Sequence, residues 1–134
     1  MSLPAVRQAL ETRLAALSSG FPTAYENVKF EPTTGTAWQA AYLLGADPDN
    51  REMNANYTER GVFQINLFYP LDAGPGAAET RAQLLRDGFP RGSDYAASGV
   101  TVHIEKTPEI GPGRAEDDWY VKPVKVRFYA LIRS

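Results

Sequence analysis

Cysteine is absent from this sequence, so disulfide bonds and thiolate metal sites are both excluded. Neither sign of charge is in large excess, because 14 basic residues against 16 acidic residues leave a formal net charge of -2. Such a balance gives no basic field for holding a nucleic-acid backbone, so we expect no specific nucleic-acid partner. No apolar run reaches the length of a membrane span, and the charged N-terminus does not match a signal peptide. We therefore expect a protein made in the cytoplasm with no membrane partner.

Hydrophobic periodicity predicts the elements of the fold. The 134 residues fit one domain, since 43% hydrophobic and 22% charged residues are ordinary proportions for a folded chain. The segment 60–70 alternates apolar and polar side chains, as a strand with one buried face does. The same criteria predict helices over 2–17 and 75–87, strands over 38–44, 100–105 and 119–132, and at most a short strand over 28–30.

The order of these elements predicts an α+β fold. Its antiparallel or mixed sheet has about four to five strands, with two helices packed on one face. Pro123 falls inside the last predicted strand. Because proline cannot donate to a ladder of hydrogen bonds, we expect an edge position or a bulge at this residue.

Signatures of catalysis are sparse. His103 is the one imidazole, and Thr101 and Glu105 share its strand face, so a hydrogen-bonded trio is geometrically compatible with the sequence. A small hydrolase or ligand-binding domain that uses His103 and nearby carboxylates is therefore the alternative function. A polar histidine on a solvated strand face is the simpler interpretation. No nucleophile elbow, Walker loop or dinucleotide-binding motif occurs, so we predict no enzyme and no cofactor.

Carboxylates cluster in two predicted loops. Asp47 and Asp49, with Asn50 and Glu52, are oxygen donors that suit a divalent cation, but the spacing and central glycine of an EF-hand are missing. The run Glu116, Asp117 and Asp118 offers an acid pair for glycoside or phosphoryl chemistry as an alternative, but the sequence supplies no partner base and no positioned cation. Solvated loop acids explain both clusters, so we predict no metal site.

Aromatic and basic residues on the last strand are more informative. Trp119 and Tyr129 flank Lys125 and Arg127 on the strand face opposite the helices, a composition typical of protein interfaces. Coverage of this strip by further strands or a loop is the alternative. The loops 47–57 and 109–118 are further candidate contacts, since long polar loops are often functional. The candidate interface residues are Asp49, Arg51, Asn54, Tyr57, Arg114, Asp117, Trp119, Lys125, Arg127 and Tyr129.

A series of segments in a fixed order carries a family resemblance. They are ALETRLAAL with TAYENVKFEP, ERGVFQINLFYP before a helix that GPG initiates, FPRG, VTVHIEKTPEIGP and DDWYVKPVKVRFYA. In this order they resemble the small bacteriophage tail terminator-like proteins, related to the minor tail protein U group. The similar segments span nearly the full chain, and they are fold and turn residues without a catalytic signature.

The resemblance implies a structural virion or prophage protein of the tail. Such proteins form a ring, typically a hexamer, on the end of the tail tube, where they stop its growth and present a surface to the head. The implied partners are further copies of the chain, the tail tube protein and the head-tail connector protein. The family has no shared active site to transfer to this sequence. A head-tail connector or neck protein of similar fold is a second alternative.

Overall fold

A computed structural model describes residues 2–50 and 56–133 of the chain. The elements in chain order are α1 (Ser2–Leu17), β1 (Thr23–Tyr25), β2 (Trp38–Gly45), β3 (Tyr57–Pro70), α2 (Gly76–Gly88), β4 (Asp94–Ala97), β5 (Val100–Ile104), β6 (Glu109–Ile110), β7 (Arg114–Glu116) and β8 (Trp119–Ile132). They form one eight-stranded sheet in the order β1-β2-β3-β8-β5-β4, and β6 and β7 also pair with β8. The pair β1–β2 is parallel and the other pairs are antiparallel, so the sheet is mixed.

The two long strands β3 and β8 form the centre of the sheet. They pair in one antiparallel ladder from Tyr57 opposite Ile132 to Pro70 opposite Trp119. Alternate residues are buried from Gly61 to Leu67 of β3 and from Val124 to Ala130 of β8, as strands covered by helices on one side require. The predicted strand over 60–70 is therefore confirmed and extended toward the N-terminus.

Both helices pack on the same face of this sheet, as the sequence predicts. Helix α1 contributes Val6, Leu10 and Leu14 to the core, and α2 contributes Ala82 and Leu85. These side chains are almost wholly buried against the sheet, and full burial of a leucine or valine stabilises the fold by about 2 kcal/mol. Within the described residues, no helix is both long and apolar enough to cross a membrane.

The predicted α+β class is confirmed, but the predicted count of about four to five strands is wrong. Strand β4 lies in a segment that the sequence predicted to be a connector, and β6 and β7 lie in the predicted loop 109–118. Each of these three strands has two to four residues. Such lengths are too short for an alternating pattern to appear. The strand predicted over 28–30 is also wrong, because the parallel partner of β2 is β1.

Pro123 lies in the interior of the sheet, with β3 on one side of β8 and the short strands β5, β6 and β7 in series on the other. The predicted edge position is therefore wrong, and the bulge explains the proline instead. The bulge lies between the point where β6 pairs with β8 and the point where β7 does. There the three residues 111–113 lie opposite only two residues of β8, 122–123. The carbonyl of Pro123 accepts a hydrogen bond from the Gly111 N–H at 2.9 Å. Proline lacks a backbone N–H, and at Pro123 this missing donor falls where the ladder between β8 and the β6–β7 segment is interrupted.

Glu26, directly after β1, joins the sheet to α1. Its Oε1 accepts the Leu43 N–H at 2.7 Å and lies 3.1 Å from Arg7 Nη2. The hydrogen bond from the Leu43 N–H, followed by the bond to Arg7, holds the pKa of the Glu26 carboxyl below its ordinary value. Ionised Glu26 therefore stabilises the folded chain above the pKa of the unfolded state. This stabilisation is lost as pH falls through the lower folded pKa.

We expect Glu26→Gln to weaken the acid dependence of stability. The glutamine amide oxygen still accepts a hydrogen bond from the Leu43 N–H but carries no charge for Arg7. Because this ion pair is partly exposed, the loss in free energy of unfolding at neutral pH stays below about 1 kcal/mol. Urea unfolding of both proteins between pH 7 and pH 3 checks this. The urea midpoints of the two proteins should converge as pH falls. A difference that stays constant with pH would contradict the stabilising role of ionised Glu26.

Candidate assembly interface

The sheet face opposite the two helices is called here the open face. Cross-strand register places Leu44, Val62 and Arg127 in one row of this face. The neighbouring row holds Tyr42, Gln64, Lys125 and Glu109. Leu44 is 49% exposed and Tyr42 is 36% exposed. The open face therefore combines exposed apolar side chains with cations, which is the mixture found at protein interfaces.

One end of the open face is an aromatic cluster. The Trp38 ring stacks on Phe68 with centroids 4.0 Å apart, and Phe30 stacks on Trp38 at 5.1 Å. Trp119 meets the Trp38 ring edge-on at 5.9 Å. The segment that carries Phe30 thus covers this end of the face. Coverage by a loop, the alternative considered from the sequence, therefore applies at the Trp119 end of β8.

The other end of the open face is a polar row centred on Arg60. The Arg60 Nε lies 2.8 Å from Asp49 Oδ2, and its Nη1 lies 3.5 Å from Glu105 Oε1. The hydrogen bond with Asp49 raises the pKa of Arg60, which remains a permanent cation. The guanidinium lies 5.6 Å from the centroid of the Tyr129 ring, and that ring stacks on His103 at 4.9 Å. These contacts hold the row in one arrangement before any partner binds.

The trio of Thr101, His103 and Glu105, which only the alternative enzyme function requires, is not assembled. The His103 Nδ1 contacts the Asp94 carboxylate on β4, while Glu105 pairs with Arg60. Among the described residues, Thr101 forms no side-chain hydrogen bond with His103. Sequence reasoning missed Asp94 because the segment that contains β4 was predicted to be a connector. Within residues 2–50 and 56–133, no group of three or more histidines and carboxylates has a geometry that suits a metal ion.

A cationic basin of about 590 Å³ opens beside the polar row. Its lining residues are Arg91, Glu105, Lys106, Thr107, Glu109, Lys125 and Arg127. Four of these side chains are cations and two are carboxylates, and Glu105 also pairs with Arg60. In the described part of the chain, none of the four cations forms an ion pair. The basin therefore holds uncompensated positive charge.

The structure distributes the candidate interface residues over three places. Lys125, Arg127 and Tyr129 lie on the open face, opposite the helices, and Trp119 lies in the aromatic cluster. The others lie near the ends of strands: Arg114 on β7, Asp117 in the β7–β8 turn, Asp49 bridged to Thr58, and Tyr57 at the start of β3. Arg51 and Asn54 lie outside the described residues.

Several residues of the open face were not singled out from the sequence. Arg91 and Lys106 join the cationic basin from segments before β4 and after β5, and only the folded sheet brings them together. Arg60 and Tyr42 lie on strands whose alternation placed them on a defined face. The signal for these two was present, because that face is the one shared with Lys125 and Arg127.

Within the described residues, the protein is an α+β domain with helices on one sheet face and, on the other, aromatic residues and cations without ion pairs, a composition typical of proteins that bind other proteins. Residues 5–128 match the family model described as phage tail terminator protein. The chain belongs to the phage tail terminator family. The family is structural, so the chain is a structural protein of the phage tail and, as such, a virion component.

Two solved structures have a similar fold. One, of a protein without a functional description, has a TM-score of 0.81 and 27% identity over 100% of this chain and 98% of its own. Another is a virion of a native gene transfer agent particle, with a TM-score of 0.62 and 18% identity over 98% of this chain and 96% of the matched chain. At that identity the second similarity concerns the fold alone. No curated protein matches the sequence.

Proposed function

We propose that this protein caps the phage tail tube by assembling into a ring, with a hexamer as the expected size, and contributes to joining the tail to the head. The proposal rests on the family match over residues 5–128. The observation that carries it further is the open face, where Leu44 and Tyr42 are exposed beside Arg127. Its partners are further copies of the chain, the tail tube protein and the head-tail connector protein.

Ring assembly requires a heterologous interface, in which two different surfaces of one subunit meet its two neighbours. The open face supplies one extended surface of mixed character, with the exposed side chains of Leu44 and Tyr42 and a cationic basin. The long ladder between β3 and β8 makes the face stiff, so little ordering is required when a neighbour binds. A stiff, preformed surface suits a protein that must recognise a completed tube end.

A phage that lacks this protein tests the capping role. Without a terminator, tube growth has no stop, so we expect abnormally long tails in electron micrographs. Expression of the wild-type chain from a plasmid should restore the normal length. Tails of normal length in its absence would contradict capping. Normal tails that fail to join heads would support a connector protein of similar fold.

A further inference from the structure

We infer that neighbouring subunits of the ring meet by charge, with the acidic turn of one copy seated in the cationic basin of the next. The acidic turn is defined as residues 116–118, between β7 and β8. The inference rests on the proposed ring function and names the contact that builds the ring. It uses two patches that lie on different parts of the same chain.

The acidic turn is a two-residue hairpin connection with its charges at the apex. Glu116 pairs with Trp119 across the hairpin, so Asp117 and Asp118 form the connection. Asp117 has a φ of 52°, and both aspartates are exposed. The Glu116 carboxylate lies 3.0 Å from Arg114 Nη2 and is partly neutralised. Asp117 and Asp118 form neither a hydrogen bond nor an ion pair with the described residues, so their charge is available to a partner.

The basin provides the opposite charge in a concave site. Arg91, Lys106 and Arg127 are exposed around it, and the half-buried Lys125 lies at its β8 wall. Four cations against two carboxylates leave a net positive charge before any partner binds. Two aspartates at the tip of a narrow hairpin would offset that excess. Charged groups that meet in a concave, partly desolvated site interact more strongly than groups on a flat surface.

The acidic turn cannot enter the basin of its own chain. Trp119, next to the turn, and Lys125, in the basin, are six residues apart on the extended strand β8. At the usual rise per residue this separation is about 20 Å. The contact therefore has to join two copies. Two different patches that meet in this way form a heterologous interface, which generates a ring when the rotation closes.

Charge reversal on each side tests the pairing. The basin variant Lys125→Glu/Arg127→Glu carries two acidic patches, and the turn variant Asp117→Lys/Asp118→Lys carries two basic patches. Each is expressed alone in cells infected with a phage that lacks the protein. We expect each variant to lose tail termination and to produce long tails, with complementation reduced at least tenfold. Circular dichroism of the purified variants should show the wild-type spectrum if both fold.

Coexpression of the two variants is the decisive arm. The acidic turn of the basin variant fits the basic basin of the turn variant, and the reversed pair is also complementary. An alternating ring with an even number of subunits can therefore close, and normal tail length should return. Control variants that each reverse a single exposed charge elsewhere, Asp87→Lys and Lys29→Glu, should terminate tails as the wild type does.

Two results would overturn the pairing. If either variant alone terminates tails normally, the contact is wrong, while the capping role survives as long as the phage without the protein makes long tails. If both variants fail and coexpression does not rescue them, the two patches do not meet each other. A gel-shift assay with duplex DNA then identifies the basin as a nucleic-acid site if the basin variant alone loses binding. Normal tails in the phage without the protein would instead refute the capping role.

Discussion

Replacing Gly61 by alanine should lower the free energy of unfolding by about 3 kcal/mol, at the upper end of the usual cost of overpacking. An ideal Cβ at this position would lie 2.4 Å from the Leu44 carbonyl oxygen and 2.9 Å from Phe128 Cζ. The first neighbour is backbone of the adjacent strand, so it cannot rotate away. The second is an aromatic ring that is 1% exposed. Either β2 and β3 separate locally, or the Phe128 ring leaves its packed position.

Urea denaturation measures this effect. At a typical slope for a small protein, the expected loss lowers the unfolding midpoint by about 1.5 M. Gly45 provides a matched control, because it lies directly across the ladder from Gly61 and a Cβ there meets nothing within 4 Å. Gly45→Ala should leave stability unchanged or raise it slightly, since alanine restricts the unfolded chain. Equal midpoints for the two variants would show that close packing at Gly61 is unimportant.

Replacing Gln39 by leucine should lower the free energy of unfolding by about 2 kcal/mol, because the hydroxyl oxygens of Ser18 and Thr23 each lose one hydrogen-bond donor in a mostly buried site. Gln39 is fully buried on the helix side of β2, where its Nε2 donates to Ser18 Oγ at 2.8 Å and to Thr23 Oγ1 at 3.0 Å. Arg81 on α2 also donates to Ser18 Oγ at 2.6 Å. Burial lowers the pKa of Arg81, which lies 4.3 Å above the Phe21 ring centroid. The Gln39 amide and the Ser18 hydroxyl thus connect β1, β2 and the end of α1 to the half-buried Arg81.

Leucine fills the same space as glutamine, so this substitution reports hydrogen bonding more than packing. Gln64→Leu is the control, since Gln64 lies on the open face of the neighbouring strand and is half-buried. Its amide donates to Asn66 Oδ1, a contact next to solvent. Its loss should cost well under 1 kcal/mol, as for most surface substitutions. Equal urea midpoints for Gln39→Leu and Gln64→Leu would show that the buried hydrogen bonds of Gln39 do not contribute to stability.

The sequence predicted the long elements well because their patterns repeat. Strands β3 and β8 have 14 residues each, and their alternation assigned both the buried face and the open face. The helices have 16 and 13 residues, enough for a clear apolar stripe. Strands β1, β4, β6 and β7 have two to four residues and exist because β2, β5 and β8 offer ladder partners. Tertiary pairing of this kind leaves no periodic signal in the segment itself.

The candidate interface also has a part that the sequence predicts and a part that only the folded sheet shows. Lys125, Arg127 and Tyr129 were placed on one face because they alternate along a single strand. Arg91 and Lys106 are separated from that strand in sequence and reach the basin only through the pairing of β4, β5 and β8. The contact of His103 with Asp94 depends on the same pairing. Sequence spacing alone placed His103 with Thr101 and Glu105 because the missing strand was not recognised.

The bulge at Pro123 separates the β7 hairpin from the rest of the sheet. Residues 114–116 pair with the first residues of β8, and none of them is buried. Insertions or changes of charge in this hairpin therefore leave the hydrophobic core untouched. If the acidic turn selects the neighbouring subunit, the sequences of the turn and the basin can change together during evolution while the core of the fold stays the same. Two related phages in one doubly infected cell could then avoid building mixed rings.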